Sequence, residues 1–289
     1  MKSNVCIFPS TLLPCGPIVA GVFDRLRQFW NNARQGNLEI MTKSLIEGEE
    51  DAFILLNEAG TSPYVVVCEH ASNRLPKQLG NLGLATDDLQ RHIAWDIGAE
   101  GVARLLSRLL DAPLALQRYS RLAYDCNRPP ESEGAMPELS ETTVIPGNRN
   151  LSAAAKMARV AAIYRPFHDG LAGVLDARAC AGRATGLVTI HSFTKVYKGR
   201  ERAVELGILF DRDSRIADKL IKGFPNVDAR LNEPYGPKDG VMHTTNLHAA
   251  PRGIKSVMIE IRNDLIANER GQNEWAQRLS LPLIQATTK

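Results

Sequence analysis

Four apolar runs in this sequence each end in groups that can bind a metal, move a proton or hold an anion. "YVVVCEHASN" delivers Glu69 and His70, and "LALQRYSRLAYDCNR" delivers Arg121, Asp125, Asn127 and Arg128. "LVTIHSF" delivers His191 and Ser192, and "VMIEIRND" delivers Glu260, Arg262, Asn263 and Asp264. Two histidines from different strands plus one oxygen donor make a common catalytic zinc set that leaves a position for water. His70 and His191 suit the nitrogen positions, with Glu69, Asn73 or Asp96 as the oxygen donor. Glu260 sits inside an apolar run, where burial raises a carboxyl pKa, and that suits a general base. Arg128, with Asn127 beside it, suits a substrate carboxylate, and Arg121 suits a developing oxyanion.

Each reading has a plainer competitor. A histidine at a strand end is more often a hydrogen-bonded structural residue. Asp125 and Arg128 also suit an ion pair that pins a turn. Cys68 shares a strand face with His70, as a Cys–His dyad requires, but a free cysteine in such a run is expected to be a small buried hydrophobe. Alternation along a strand puts Glu69 and His70 on opposite faces, which counts against Glu69 as a neighbouring ligand unless the backbone bends. Asp96, in "HIAWDIGA", falls in a helical pattern that suits a solvent-facing side chain. His168, His243 and His248 are further candidates that spacing alone does not rank.

The elements that must position these groups alternate. "YVVVCEH", "ATGLVTIHSF", "AVELGILFD" and "SVMIEIRND" read as strands, and "APLALQRYSRLAYDCNR" as one or two more. "TDDLQRHIAWDIGAEGVARLLSRLLD" reads as one helix capped by Thr86, and "SAAAKMARVAAIYRPFHDGLAGVLDARAC" as another capped by Ser152. "DSRIADKLIKGF" and "NEWAQRLSLPLIQATT" complete the helices. Strands alternating with helices predict an α/β fold: a mixed, mostly parallel central sheet with helices on both faces. Ligands in such sheets bind outside the carboxyl ends of the strands, where the polar groups collect. Residues 129–148, rich in Pro, Glu, Ser and Thr, form a long loop of the kind that covers a site.

Composition narrows the function classes. The chain has 289 residues, a net charge of +3, 44% hydrophobic and 23% charged residues, which describes an ordered protein with a sizeable core. Its basic residues are scattered, so nucleic acid is not an expected partner. No run is long enough for a membrane helix. Five cysteines without a C-x-x-C pair argue against a disulfide framework and for a reducing, cytoplasmic compartment. "CIFPSTLLPCGPIVAGVF" has the apolarity of a signal peptide, but prolines interrupt it and no clear cleavage site follows. Residues 1–40 are therefore expected to be a poorly ordered extension, and 41–289 a single α/β hydrolase domain.

Taken together, "VVCEHASNRLP", "AWDIGA", "SRLAYDCNRPPES", "YRPFHDGL", "TIHSF" and "MIEIRNDLI" resemble, in order, the N-formylglutamate amidohydrolase family. The likeness runs from about Pro63 to Leu283. It implies a fold like that of the zinc-dependent carboxypeptidases and aspartoacylases, and hydrolysis of an amide beside a free carboxylate, as when N-formyl-L-glutamate yields formate and glutamate in amino-acid catabolism. By this resemblance His70 and His191 match metal ligands, Asn127 and Arg128 the carboxylate pair, Arg121 the polarising arginine and Glu260 the base. The relatives' H-x-x-E motif places Glu where this chain has Asn73, a weaker ligand, and Asp96 is the expected replacement. Zinc is the expected cofactor, though such ligands also suit other divalent metals. The expected partner is a small acidic N-acyl amino acid. The alternatives are another N-acyl amino acid, a peptidoglycan-derived peptide, or a non-catalytic binding protein on the same scaffold. The sequence does not give the oligomeric state.

Overall fold

The structure is a computed structural model that describes residues 45–287. The expected extension over residues 1–40, with its signal-like stretch and two of the cysteines, lies outside the described residues. Eleven strands are described: β1 (Phe53–Leu56), β2 (Tyr64–Cys68), β3 (Leu114–Gln117), β4 (Leu139–Ser140), β5 (Thr143–Val144), β6 (Gly186–Phe193), β7 (Val196–Tyr197), β8 (Arg200–Glu201), β9 (Leu206–Leu209), β10 (Ala229–Leu231) and β11 (Lys255–Arg262). The α-helices are α1 (Thr86–Leu89), α2 (Ala99–Leu110), α3 (Ala153–Arg159), α4 (Arg165–Cys180), α5 (Ala217–Leu220), α6 (His243–His248) and α7 (Glu269–Thr287).

Seven strands form one sheet in the order β1-β3-β2-β6-β11-β9-β10. The pairs β3–β2, β2–β6, β6–β11 and β9–β10 are parallel, while β1–β3 and β11–β9 are antiparallel. The expected mixed, mostly parallel sheet is therefore present. Its middle strands are the near-continuous apolar runs that a sheet covered on both faces requires; every residue of β2 and β6 is buried. On one face Val66, Val188, Ile259 and Leu116 pack under α2, α5 and α7, through Val102, Leu106, Leu220, Leu279 and Leu283. On the other, α4 contacts β1 and β3, and α6 contacts β11. Among the described residues no helix is long and apolar enough to cross a membrane.

The helices depart from the sequence expectation in two informative places. The first expected helix is broken: α1 ends at Leu89, α2 begins at Ala99, and Ala85 rather than Thr86 is the cap. The break follows from Gly98, whose φ of 80° is left-handed, and from the Asp96 N–H, which donates to the carbonyl of His70 at 3.0 Å. A Cβ on Gly98 would stand 2.1 Å from the carbonyl oxygen of Ile266, so no other residue fits that turn. In the second helix Ser152 accepts from the N–H of Ala155 at 3.1 Å, as its capping role requires. A π-turn over Val160–Tyr164 then separates α3 from α4 just before Pro166, which has no N–H to continue an α ladder.

Candidate metal centre and active site

The carboxyl ends of β2 and β6, with the α1–α2 connection, bring three donors together. His70 Nδ1 lies 3.2 Å from Asp96 Oδ2, and His191 Nδ1 lies 3.0 Å from the same oxygen. All three side chains are buried, and they form a group that could hold one metal ion. Donors held at 2.0–2.1 Å in a tetrahedron stand roughly 3.3 Å apart, so the spacing and the N,N,O donor set fit a divalent ion such as zinc. Asp96, expected to face solvent if the helix ran on, is turned inward because the helix is broken there. Asn73 takes no part: its amide donates to the carbonyl of Leu89 at 2.9 Å.

A second carboxylate stands behind each histidine. Asp125 Oδ1 is 2.7 Å from His70 Nε2, and Glu69 Oε2 is 3.0 Å from His191 Nε2. The Glu69 contact is an ion pair without the alignment of a hydrogen bond. Such partners fix the tautomer and ring orientation of a ligating histidine. Glu69 and His70 thus point to different places, as strand alternation requires. Glu69 serves His191, a role the sequence did not reveal because the pairing crosses from one strand to the next.

The electrostatics follow from these contacts. Burial opposes charge on His70 and His191, yet Asp125, Asp96 and Glu69 outweigh it and hold both imidazoles above their ordinary pKa. Burial alone would raise the carboxyls of Asp96 and Asp125; His70 and Arg121, with His191 at Asp96, keep them well below the carboxylate range. Arg121 donates to Asp96 Oδ1 at 3.2 Å and to Asp125 Oδ2 at 2.7 Å. Asp125 therefore does not form the turn-pinning pair with Arg128 that the sequence suggested. Arg128 Nη1 instead donates to the carbonyls of Asn127 and Gly240, at 2.8 and 3.0 Å.

Glu260 stands beside His191 in the register of β11 and β6. Burial pushes its carboxyl up to about 7, and Oε2 has no hydrogen-bond partner among the described residues. Gly207 of β9 makes room for it: a Cβ there would lie 3.1 Å from the Cβ of Glu260 and 2.3 Å from the carbonyl of Glu233.

A cavity of about 200 Å³ opens onto this cluster. His70, Asp96, His191, Glu260, Arg121, Asn127 and Arg128 all line it, so every predicted site residue reaches one place. Asn127 is largely committed to the protein, donating to Val241 O at 2.6 Å and accepting from Thr244 N at 3.1 Å. Ser140 and Glu141 bring the expected 129–148 segment to the cavity wall, and Tyr197 and Tyr235, which sequence reasoning did not foresee, complete it. Cys68 points into the core on the opposite face, where burial raises its thiol, and it makes no dyad. His168, His243 and His248 do not line the cavity. His168 bridges His248 Nε2 at 2.8 Å and the Cys126 carbonyl at 2.9 Å, and His243 meets the Tyr164 hydroxyl at 3.0 Å.

Comparison with known proteins gives the fold and the family. A crystal structure of a gene product from Agrobacterium tumefaciens is 52% identical, covering 83% of this chain and 96% of that one, with a TM-score of 0.82. The N-formylglutamate amidohydrolase of Ralstonia eutropha JMP134 is 19% identical, covering 82% and 97%, with a TM-score of 0.57, a likeness of fold. No curated protein matches the chain. The family model for N-formylglutamate amidohydrolase matches residues 62–267. That stretch carries β2, β6 and β11 with all the residues gathered above, and the chain accordingly belongs to the N-formylglutamate amidohydrolase family, hydrolases that act on an amide bond.

Proposed function

We propose that the protein is a metal-dependent amidohydrolase that cleaves the amide of an N-acyl acidic amino acid, with N-formyl-L-glutamate as its substrate, in the cytoplasm. The observation that carries this reading is the placement of Glu260, buried and in register with His191, on the same cavity as the His70–Asp96–His191 donor set. Those three residues would hold the ion, zinc by the character of the donors. When bound, the ion would polarise the amide carbonyl and make a water acidic enough to attack near neutral pH.

The chain's own residues do the rest. Glu260, with its carboxyl raised to about 7, takes a proton from the attacking water and returns it to the leaving amine. Asp125 and Glu69 keep the Nε2 atoms of His70 and His191 protonated, leaving each Nδ1 to face Asp96. Arg121 keeps Asp96 and Asp125 ionised and lines the cavity, where it stabilises the amide oxygen as that oxygen gains charge. Arg128 and the second amide hydrogen of Asn127 orient a substrate carboxylate.

Glu260→Gln is the test. Turnover of N-formyl-L-glutamate should fall about 10²- to 10⁴-fold, the usual worth of a general acid–base group, while bound metal, read by mass spectrometry, stays at the wild-type level. Loss of metal in that variant would make Glu260 a ligand and overturn its assignment as base.

A further inference from the structure

The cavity wall formed by the segment after β6 and by the β10–β11 connection carries a cation that the mechanism above does not use. Arg202 follows β8 and lies against three rings, 4.5 Å from the centroid of Tyr197, 4.9 Å from Tyr235 and 5.7 Å from Phe193. Its Nη1 donates to the hydroxyl of Tyr235 at 2.9 Å and to the carbonyl of Thr194 at 3.5 Å. Among the described residues no carboxylate pairs with Arg202. The contrast with Arg121, neutralised by Asp96 and Asp125, is direct.

Tyr235 transmits that charge to the cavity. Its hydroxyl oxygen accepts from Arg202, so its own proton is left to donate elsewhere, and the ring lines the cavity together with Phe193, Thr194 and Tyr197. Burial and the nearby Glu260 raise the phenol pKa, which keeps Tyr235 a donor near neutral pH. Arg128 lines the same cavity and, among the described residues, makes its hydrogen bonds to backbone carbonyls alone. One small cavity is thus served by two arginines without carboxylate partners, one acting directly and one through a phenol. Charge complementarity calls for a ligand with two negative groups.

We propose that Tyr235, oriented and polarised by Arg202, is a specificity-determining residue that binds the side-chain carboxylate of a dicarboxylic substrate, while Arg128 takes the other carboxylate. The inference rests on the amidohydrolase reading for the identity of the substrate but not for the existence of the anion site. Tyr235 touches the ligand; Arg202 is a positioning residue acting through it.

Calorimetric titration of the metal-loaded Glu260→Gln protein tests the site without turnover, using N-formyl-L-glutamate and the neutral isostere N-formyl-L-glutamine. A hydrogen bond to a charged group predicts about tenfold to a hundredfold tighter binding of the glutamate compound. Adding Tyr235→Phe should shrink that preference to about threefold or less while leaving glutamine-compound affinity in place. Arg202→Met should do the same, and Arg202→Lys, which keeps the charge, should recover part of it. A Tyr235→Phe protein that retains the full preference, or weakens both ligands alike, overturns the proposal, as does failure of the starting protein to bind either ligand. Hydrolysis by the wild type is followed separately. An inert wild type that shows the predicted preference removes the hydrolase reading and leaves the dicarboxylate site standing.

Discussion

Oε2 of Glu69 lies 3.0 Å from Nε2 of His191, although Glu69 is the chain neighbour of His70. One turn after β2 therefore supplies a donor to the candidate metal centre and the group that orients a different donor. The two sides of the centre are built alike, because Asp125 stands behind His70 as Glu69 stands behind His191.

Glu69→Gln should weaken metal binding by about 10- to 100-fold, the usual worth of a carboxylate behind a ligating histidine. Competition against a chromophoric chelator measures this, and a thermal melt of the metal-free protein separates it from a folding defect. Asp125→Asn should act in the same direction through His70. Unchanged metal affinity in both variants would mean that these carboxylates only stabilise the fold.

Metal binding should release protons. In the metal-free protein each imidazole sits between carboxylates, which favour a proton on the ring nitrogens that face them. The direction of both pKa shifts, upward against the penalty of burial, agrees. A bound ion takes the place of the proton on each Nδ1, while each Nε2–H stays with Asp125 or Glu69. Protons should therefore leave as the ion binds, and affinity should fall as pH is lowered. Titrations in buffers of different ionisation enthalpy count them. Release near zero would show that the histidines are already neutral, and would remove the paired-carboxylate account of the site.

The legible part of this molecule was what one strand can carry alone. The apolar runs of β2, β6 and β11 marked the sheet, and their last residues marked His70, His191 and Glu260, because ladder strands end where side chains meet solvent or ligand. Groups defined by pairing between distant segments were not legible. Asp96 was singled out among the possible oxygen donors only through the family resemblance, because its local pattern is helical and only Gly98 hints at the break that turns it inward. Asp125 seemed matched to Arg128, three residues on, but the fold gives it His70 and Arg121 instead. Tyr235 and Arg202 carry no local signal at all, since their meaning depends on a contact between distant segments at the cavity wall.

The segment over residues 129–148 also depends on a distant peg. Asn148 is buried at its end, donating to the carbonyls of Leu122 and Pro137 at 3.0 and 2.9 Å and accepting from Arg159 Nη1 at 2.6 Å. Arg159 itself has no carboxylate partner among the described residues; burial lowers its pKa to about 10, and its other bonds go to the carbonyls of Ala123 and Gly147. Removing the amide with Asn148→Ala strands part of a buried guanidinium and two carbonyls, a loss of about 2–4 kcal/mol. A domain of this size should then melt several degrees lower, at about 2–4 °C for each kcal/mol. Because the same segment brings Ser140 and Glu141 to the cavity wall, KM for N-formyl-L-glutamate should rise more than kcat falls. A drop in melting temperature with KM unchanged would show that the segment braces the fold without shaping the site.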